Sequence, residues 1–529
     1  MLEADYIVVG AGTAGCVLAT RLCERGASVL LLEAGADVIS MQLRVPGLVT
    51  QLMGNPAFDW CYRSAPDLSR HGNPIFWSAG RVVGGSSAIN GMVFNRGLAR
   101  DYDAWAHAGC SGWAASDVLP YFERMESFTG RGTHGPQPVE FNRHAYSALP
   151  QLLAACADAG TPVVDDINAF PNHGVGRAQT STHRGVRYST RESYLRRARH
   201  GDRLQLLANA HAQRLQFQGT RCVGVLFRRD GRDVQARARR EVIVSAGAIA
   251  TPRLLLLSGI GPAADLQALG IPVVADRSGV GANLQDHTGV AVSVGTHSGG
   301  ITAADRSGIR RLWHGLRWLL AGSGPAAGGV VQATAYAHSP AALTAPDLHL
   351  QFTALSLQRT NAGSSGLGRH SAITTICNVC QPRARGQLRL ASADPLVPII
   401  GQLQLLGDPD DNARLVAGLR LIRRIHGSPA LATCTTGEQL PGPDIQSDEA
   451  LLEYCRVAAA SQYHPVGTCR MGNDAAAVVD SALRVRGVTG LRVADASMMP
   501  TLTSGNTNAP VMMIAEKAAD LITRHGSVQ

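Results

Sequence analysis

The stretch DYIVVGAGTAGCVLATRLCERGASVLLLE, residues 5–33, carries the clearest signal of fold class in this chain. It opens with a short apolar strand at residues 5–9, passes through a glycine loop into apolar residues at helical spacing, and ends in a second apolar run at residues 29–32. Two continuously apolar strands joined by a helix are typical of a parallel sheet that is buried on both faces. The stretch therefore predicts the first β-α-β unit of a Rossmann-type α/β domain.

The glycine loop of this unit has the spacing of a dinucleotide-binding fingerprint. Gly10 permits the tight turn, Gly12 lets the backbone approach a pyrophosphate, and Gly15 lets the helix pack closely on the sheet. The phosphates would lie at the helix N-terminus, where free N–H groups and the helix dipole favour anions. Glu33 ends the second strand, at the distance expected for a carboxylate that accepts hydrogen bonds from ribose hydroxyls. The unit predicts a dinucleotide site, but it does not separate NAD from FAD.

A second glycine-rich stretch, GRVVGGSSAINGMV at residues 80–93, makes that separation. Its small residues let the backbone run against a large flat ring, and their amides can face the polar atoms of that ring. The stretch therefore favours a flavin over a nicotinamide dinucleotide.

The C-terminal part of the chain supplies groups suited to acid–base chemistry. It contains YHPVGTCRMG at residues 463–472, DASMMP at 495–500 and NTNAP at 506–510. Oxidation of an alcohol by hydride transfer needs a base for the hydroxyl proton, and a histidine with a pKa near neutrality suits that task. An asparagine N–H₂ can stabilise the alkoxide-like oxygen without competing for the proton. A proline and a glycine turn follow His464, which indicates a loop tip rather than a packed helix face.

Length and charge restrict the class of protein. The 529 residues exceed the usual size of one core and predict two domains. The formal net charge is +9, but Lys517 is the only lysine, and the arginines are scattered along the chain. Nucleic-acid-binding proteins usually carry a clustered basic stripe, so no nucleic-acid partner is expected.

The cysteine pattern argues against disulfides and metal sites. Eleven cysteines are spread without the spacing of a disulfide framework, and Cys377 and Cys380 form a lone C-x-x-C with no second pair or histidine set. No signal peptide is visible, and the most apolar long stretch, residues 242–261, is interrupted by Pro252 and Arg253. We expect reduced thiols, no metal and a cytoplasmic location.

Several stretches together resemble the glucose–methanol–choline (GMC) family of FAD-dependent alcohol oxidoreductases. Residues 80–93, with Phe94, Gly97 and Asp103 downstream, resemble its first signature, and residues 247–261 resemble its second. The motif VGANLQDH, residues 280–287, also fits, and the matches run from residue 4 to about 520. Within the family, the chain resembles the bacterial choline-dehydrogenase-like, alkyl-alcohol and hydroxymethylfurfural-oxidising members.

The resemblance implies FAD as the cofactor and assigns its contacts residue by residue. Some relatives attach FAD covalently through a histidine at the position of Ile89, so non-covalent FAD is expected here. Matching positions imply contacts to the adenosine diphosphate half, the flavin, the adenine and the pyrophosphate–ribityl end. The implied FAD-binding residues are Gly10, Gly12, Thr13, Ala14, Gly15, Glu33, Ala34, Val83, Gly84, Gly85, Asn90, Gly91, Met92, Val93, Ala212, Tyr463, Asp495, Ala496 and Asn506.

The resemblance also implies the catalytic pair. His464 occupies the position of the family's catalytic histidine, and Asn506 occupies the position where relatives carry a second histidine or an asparagine. Asn508 lies two residues on and could present its amide instead, so that choice stays open. His287 is expected to support the flavin region structurally. His349 could touch substrate or lie on a solvated sheet face.

The predicted fold class is α/β in two parts. Apolar strands at residues 204–207, 222–227 and 241–247 and a helix at 512–521 are expected to return to a Rossmann-type FAD-binding domain with a parallel sheet. Residues 347–352 and 386–390 alternate polar and apolar, which predicts a mostly antiparallel sheet with one wetter face in an α+β substrate domain. The expected boundaries are 1–157, 199–297 and 465–529 for the FAD-binding domain, and 158–198 and 298–464 for the substrate domain.

Residues 309–320 predict a helix with three arginines and two tryptophans. A basic, tryptophan-bearing helix can lie on a membrane surface or receive a partner, whereas packing of its apolar stripe on the core is the ordinary alternative. Weak peripheral membrane contact therefore stays open.

The favoured function is FAD-dependent oxidation of a primary alcohol, as an alcohol dehydrogenase or oxidase. A hydroxynitrile lyase on the same fold is an alternative, and so is a fatty-acid photodecarboxylase, although that branch carries an asparagine at the position of His464. No cage of aromatics and a carboxylate for a quaternary ammonium is evident, so choline is not favoured as substrate. The alcohol, the electron acceptor (a quinone, another carrier or O₂) and the oligomeric state stay open.

Overall fold

The computed structural model describes residues 2–170, 173–198, 201–297, 302, 308–342, 344–359 and 365–526. Its main strands are β1 (Leu2–Val9), β2 (Val29–Leu32), β3 (Gly174–Arg177), β4 (Leu204–Leu207), β5 (His211–Gln218), β6 (Arg221–Arg229), β7 (Arg232–Val244), β8 (Thr288–Thr296), β9 (Val331–Ala337), β10 (Leu348–Thr353), β11 (Ala372–Val379), β12 (Gln387–Arg389), β13 (Ile400–Gln402), β14 (Thr435–Leu440), β15 (Ala460–Ser461) and β16 (Leu491–Val493). Short strands pair locally, among them Tyr62–Arg63 with Phe76–Trp77, and Leu357–Arg359 with Ser365–Leu367.

The helices surround the sheets. They are α1 (Thr13–Glu24), α2 (Met41–Arg44), α3 (Ala99–His107), α4 (Ala115–Met125), α5 (Leu149–Asp158), α6 (Arg196–Ala198), α7 (Gly247–Leu257), α8 (Ala263–Ala268), α9 (Gly308–Ala321), α10 (Pro409–His426), α11 (Asp448–Ala458) and α12 (Asn508–Gly526). Short 3₁₀ turns cover Pro46–Gln51, Leu68–Arg70, Gly85–Ala88, Pro325–Ala327, Pro429–Leu431 and Ala496–Met498, and Arg191–Leu195 forms a π turn.

The first sheet has the strand order β4-β2-β1-β7-β6-β5, and β16 pairs with β7. The strands β4, β2, β1, β7 and β16 run parallel, whereas β5, β6 and β7 form an antiparallel meander. Helix α1 connects β1 to β2, and α12, from the far end of the chain, packs beside α1. The predicted β-α-β unit and the return of residues 204–207, 222–227 and 241–247 to this sheet are thereby confirmed.

The tight entry into α1 explains two glycines of the fingerprint. Gly10 adopts φ +98°, in the left-handed region, and a Cβ there would lie 2.7 Å from the carbonyl oxygen of Ser245. A Cβ on Gly15 would lie 1.8 Å from the carbonyl oxygen of Gly10. The helix therefore lies so close to the loop that only glycine fits at residue 15.

The second sheet has the order β14-β8-β11-β10-β9-β3, with β15 beside β8, and all of its pairs are antiparallel. Helix α10 lies across β11, β8 and β10, and α5 and α11 pack against α10. The predicted α+β part with a mostly antiparallel sheet is confirmed.

The polar alternation of β10 does not mark a solvated face, as the sequence pattern suggested. Leu348, Leu350 and Phe352 pack in the core under α10, but the polar residues between them are buried as well. Gln351 and Thr353 line a cavity between the two sheets. The alternation of polar and apolar residues in β10 therefore arises because the polar face of the strand lies toward this cavity and not toward bulk water.

The two cores interleave segments from distant parts of the chain. The first core combines β1, α1 and β2 with α12 and with Leu388, Ile399 and Leu403 around the β12–β13 hairpin. The second core combines residues of α5 with β8 to β11, α10 and α11. The hairpin thus joins the first core instead of the second sheet, and α5 joins the second core. The exact domain boundaries stay a proposal.

Helix α9 is formed as predicted, but its apolar stripe does not pack on the core. Trp318 is its only buried side chain, and it contacts Val45 and Ala327. The remaining large apolar residues of the helix are exposed.

Candidate active site

A cavity of about 450 Å³ lies between the two sheets. The first sheet contributes Val9, Leu32 and Ala212, and the second sheet contributes Gln351 and Ile376. Its size is in the range of cofactor and ligand sites in proteins. The cavity therefore joins the dinucleotide fingerprint to the inserted antiparallel sheet.

Most residues that the resemblance implies for FAD line this cavity. Gly15, Val83 and Gly84 are not part of the lining. Any contribution of theirs to cofactor binding would come through the conformation of the loops that contain them. Those in the lining are Gly10, Gly12, Thr13, Ala14, Glu33, Ala34, Gly85, Asn90, Gly91, Met92, Val93, Ala212, Tyr463, Asp495, Ala496 and Asn506.

Glu33 is held at the fingerprint by two backbone donors. One carboxylate oxygen accepts from the N–H of Ala11 at 2.9 Å and the other from the N–H of Gly35 at 2.7 Å. Burial raises the pKa of Glu33 to about 7, although these hydrogen bonds oppose the shift. A carboxylate has about four acceptor positions, so two remain for the hydroxyls of a ribose.

Two helices point their N-termini at the cavity near the fingerprint. Thr13 begins α1 and Asn508 begins α12, and the Thr13 hydroxyl donates to Oδ1 of Asn508 at 3.0 Å. The first N–H groups of a helix lack intrahelical acceptors and attract anions. This corner therefore fits a pyrophosphate. The side-chain oxygen of Asn508 is bound to Thr13 there, whereas the amide nitrogen of Asn506 contacts His464.

Asp495 holds the start of α7 with its carboxylate. Oδ2 accepts from the N–H of Gly247 at 2.8 Å and from the hydroxyl of Thr251 at 2.6 Å, and Oδ1 accepts from the N–H and the hydroxyl of Ser497. Burial raises the pKa of Asp495 against these hydrogen bonds. Its four acceptor positions are in use, so a direct contact to a cofactor would come from its backbone.

An aromatic and cationic group, which sequence reasoning missed, lies beside Ala212. Trp60 stacks on Tyr62 with ring centroids 5.8 Å apart, and its ring also approaches His211 at 5.6 Å. Arg81 lies over the Trp60 ring at 5.0 Å. These residues flank the position implied for adenine and offer stacking surfaces for a base. Its members come from three separate segments of the chain, at residues 60–62, 81 and 211, so no local sequence pattern marks them.

His464 is in contact with Asn506 inside the cavity. The Asn506 amide nitrogen lies 3.2 Å from Nε2 of His464, and both side chains belong to the lining. Oδ1 of Asn506 is buried and has no hydrogen-bond partner among the described residues. A buried amide oxygen that lacks a partner indicates a group that completes the site from outside the chain.

A hydrogen-bond chain behind His464 fixes which of its nitrogens carries the proton. Nδ1 of His464 lies 2.9 Å from Nδ1 of His287, and Nε2 of His287 lies 2.9 Å from the carbonyl oxygen of Cys380. A carbonyl oxygen only accepts, so Nε2 of His287 carries its proton and Nδ1 of His287 accepts. Nδ1 of His464 is then the donor, and Nε2 of His464 presents a lone pair toward the Asn506 amide and the cavity.

Asp286 positions the backbone of the His464 loop. Its carboxylate accepts from the N–H of His464 at 2.9 Å, from the indole of Trp77 at 2.8 Å and from the hydroxyl of Ser461. Gln285 and Val466 exchange two backbone hydrogen bonds beside it. The motif at residues 280–287 therefore fixes the backbone of the loop that carries His464, and its residue His287 contacts the side chain of His464 directly.

Burial keeps these imidazoles neutral. It lowers the pKa of His287 to about 4, and it lowers the pKa of His464 well below 6.5, with further lowering by the neighbouring His287 and His349. A neutral imidazole whose Nε2 is unprotonated can accept a proton at neutral pH. The arrangement is that of a general base next to an amide donor.

His349 lies outside the cavity lining. It is fully buried, its Nδ1 lies 3.3 Å from Oδ1 of Asn378, and its ring lies 5.2 Å from the ring of Tyr336. The buried position of His349 therefore fits neither of the two predicted roles, a contact to substrate or a place on a solvated sheet face.

The cavity wall on the side of the inserted sheet is uncharged. Within the described part of the chain, the acidic residues of the lining are Glu33 and Asp495, both at the fingerprint side, and the one arginine is Arg253. The remaining lining on the substrate side, unassigned by sequence reasoning, comprises Val49, Thr50, Met53, Val330, Val331, Gln351, Thr353, Leu355, Ile376 and Gln462.

The residues present fit the FAD that the resemblance implies. Glycine loops, helix N-termini, the Glu33 carboxylate and the aromatic residues Trp60 and Tyr62 all belong to the lining of the cavity. Asn506, with its orphaned amide oxygen, belongs to the same lining. These groups suit a pyrophosphate, a ribose and a base.

All eleven cysteines are free. No group of three or more potential ligands that could hold a metal ion occurs within the described ranges. None of the helices described is both long enough and apolar enough to cross a membrane.

Comparisons with known proteins give one consistent result. The family model described as GMC oxidoreductase matches residues 4–289, and its C-terminal counterpart matches residues 382–515. Oxygen-dependent choline dehydrogenase from Brucella anthropi is 36% identical and covers 98% of this chain and 96% of that protein. Mitochondrial choline dehydrogenase from Homo sapiens is 38% identical, covering 98% and 90%. The crystal structure of pyridoxine 4-oxidase from Mesorbium loti superposes with a TM-score of 0.89 at 27% identity, covering 99% of each chain. The chain therefore belongs to the GMC oxidoreductase family, FAD-binding oxidoreductases that act on CH–OH donors.

Proposed function

We propose that the protein oxidises an uncharged primary alcohol to the aldehyde. The observation that carries the proposal is the contact between His464 and Asn506 in the cavity lining. Nε2 of His464, the nitrogen without a proton, lies 3.2 Å from the amide nitrogen of Asn506. His464 would accept the hydroxyl proton, and the Asn506 N–H₂ would stabilise the developing alkoxide. FAD, when bound, would supply the acceptor of the α-hydride.

The uncharged wall of the cavity supports the substrate class. Gln351 and Thr353 offer hydrogen bonds, and the apolar side chains around them suit an aliphatic or aromatic group. A quaternary ammonium would call for a carboxylate or an aromatic cage on this wall. Choline dehydrogenases and a pyridoxine 4-oxidase are among the similar proteins, so a charged substrate is the competing outcome to test.

FAD is proposed to be non-covalent. Ile89, at the position where some relatives carry the linking histidine, has no nucleophilic atom, and it lies in the cavity lining. Precipitation of the holoenzyme with acid should release the flavin into the supernatant. Flavin absorbance that stays with the precipitate would contradict this.

The experiment is anaerobic mixing of the FAD-loaded enzyme with a panel of benzyl alcohol, hexanol, choline and a hydroxynitrile. We expect the neutral primary alcohols to bleach the visible absorbance of the flavin faster than choline does. Bleaching by choline alone would overturn the substrate class. Turnover of the hydroxynitrile with a flavin that stays oxidised would replace oxidation with lyase chemistry.

Parallel assays with O₂ and with an artificial acceptor such as a soluble quinone would separate an oxidase from a dehydrogenase. We propose that the artificial acceptor supports the faster turnover. An equal or faster rate with O₂, measured as hydrogen peroxide, would assign an oxidase.

A further inference from the structure

Helix α9 presents an apolar face to the outside of the molecule. Six of its apolar side chains are 47 to 83% exposed. At about 100° per residue, they occupy about a third of the helix circumference. Trp318, which packs on the body, lies on the opposite side. The exposed residues are Ile309, Leu312, Trp313, Leu316, Leu319 and Leu320.

The helix is attached firmly by its other face. The Trp318 indole donates to the carbonyl oxygen of Gly185 at 2.7 Å, and its ring packs on Val45 and Ala327. Arg143 donates to the carbonyl oxygen of Gly322 just after the helix at 3.2 Å. The outward direction of the apolar stripe is therefore set by the fold.

Basic residues flank this stripe. The helix carries no acidic residue, and Arg310 and Arg317 lie beside one edge of the stripe, whereas Arg311 lies on the side of Trp318. Arg143, at the C-terminal end of the helix, lies 3.7 Å from the carboxylate of Glu140. Apolar side chains with a tryptophan on one face and arginines beside them are the composition of helices that lie in the interface of anionic membranes. The net charge of +9 also favours association with an anionic surface.

We propose that α9 docks the protein on an anionic lipid bilayer, with the apolar stripe in the interface and the arginines at the lipid headgroups. The 14 residues of the helix span about 21 Å, so it lies along the surface and does not cross a hydrocarbon core about 30 Å thick. Val45, under Trp318, directly precedes the turn Pro46–Gln51, whose Val49 and Thr50 line the cavity. Docking therefore brings the membrane to the side of the protein that forms the cavity wall.

The test is flotation of the FAD-loaded full-length protein with vesicles. Vesicles of phosphatidylcholine with phosphatidylglycerol are compared with vesicles of pure phosphatidylcholine, at low and at high salt. We expect binding to the anionic vesicles that weakens with salt, and little binding to the neutral ones.

A double variant and a matched control distinguish binding through the apolar stripe of α9 from nonspecific binding to vesicles. Leu316→Glu with Leu319→Glu changes two exposed side chains and should lower the vesicle partition coefficient at least about tenfold. Leu68→Glu with Leu396→Glu makes the same change at two exposed leucines elsewhere and should bind as the unmodified protein does.

Three results would overturn the proposal. The first is no binding of the unmodified protein to anionic vesicles, and the second is equal binding of the α9 double variant. The third is self-association, measured by sedimentation velocity, that the α9 variant abolishes while vesicle binding is absent, because a second copy would then cover the stripe.

Discussion

At the residue scale, the reactivity of His464 depends on groups that never touch the cavity. The carbonyl oxygen of Cys380 orients His287, and His287 in turn orients His464. Asp286 fixes the backbone from which His464 projects. Cys380 thus contributes its peptide group to the site, whereas its buried thiol has a raised pKa and stays protonated.

Replacement of His464 by Ala should lower kcat by about 10² to 10⁴-fold, because the hydroxyl proton then has no positioned acceptor. FAD content should be unchanged. His71→Ala, at an exposed histidine, is the control and should keep full activity. Steady-state turnover of near wild-type rate in the His464 variant would remove the assignment.

Replacement of His287 tests its role as a positioning residue. His287→Phe removes the acceptor for Nδ1–H of His464, so the other tautomer becomes accessible, and kcat should fall roughly tenfold to a hundredfold. In His287→Asn the side-chain oxygen can take the place of Nδ1, and much of the rate should return. If both variants lose the same activity, His287 acts through packing alone.

The pH dependence of kcat/KM follows from the lowered pKa of His464. The base must be unprotonated, and burial moves its pKa well below 6.5, so activity is retained at neutral pH and lost only as the pH falls through the lowered pKa. The acid limb should therefore lie below 6.5 when kcat/KM is measured from pH 4 to 8 (roughly the range over which histidine titrates). An acid limb at or above 6.5 would contradict a buried, neutral base.

At the element scale, two glycine loops meet back to back. A Cβ on Gly85 would lie 2.6 Å from the Cα of Gly12, so the loop before residues 85–88 rests directly on the fingerprint loop. The two stretches that the sequence singled out separately thus form one wall of the cavity. Their small side chains are needed for contact with each other as well as for a cofactor.

Gly15→Ala tests how tightly α1 is packed on this wall. Its Cβ would overlap the carbonyl oxygen of Gly10, so urea unfolding should show a loss of about 3 kcal/mol, and FAD binding should weaken. Gly315→Ala, inside α9, has open space around its Cβ and should be neutral or stabilising by about 0.5–1 kcal/mol. Equal stability of both variants would show that the loop adjusts freely.

At the scale of the whole molecule, the cavity joins two cores that are each assembled from distant segments. Residues of α1, β2, β5, α7 and α12 meet β9, β10 and β11 around it. A ligand that fills the cavity therefore contacts both cores at once, and its binding is coupled to their association.

FAD should raise the thermal stability of the apoprotein in proportion to the logarithm of its concentration. At about 100 times Kd the gain is about 2.7 kcal/mol, if FAD binds only the folded protein. Differential scanning calorimetry of apoprotein with increasing FAD measures the shift of Tm, and AMP serves as a control ligand for the fingerprint half alone. A Tm that does not depend on free FAD would contradict dissociable binding.

Local sequence patterns predicted the β-α-β unit, the glycine loops, the return of later strands to the first sheet and the residues from which a base and an amide could come. These features depend on short-range spacing, such as period two, period 3.6 and the positions of glycine, which a linear chain displays directly. The GMC family followed from the same kind of local motif.

The folded chain was needed to show which of these residues are in contact. The His287–His464 contact joins positions 177 residues apart, and it sets a tautomer that no local pattern encodes. Local patterns likewise did not show the cavity-facing side of β10, the four hydrogen bonds to Asp495 or the outward apolar stripe of α9. A periodic pattern of polar and apolar residues shows that two faces of an element differ, but it does not show what covers each face. What lies against a face is fixed by strand order and by the packing of distant segments, and these arise only when the whole chain folds.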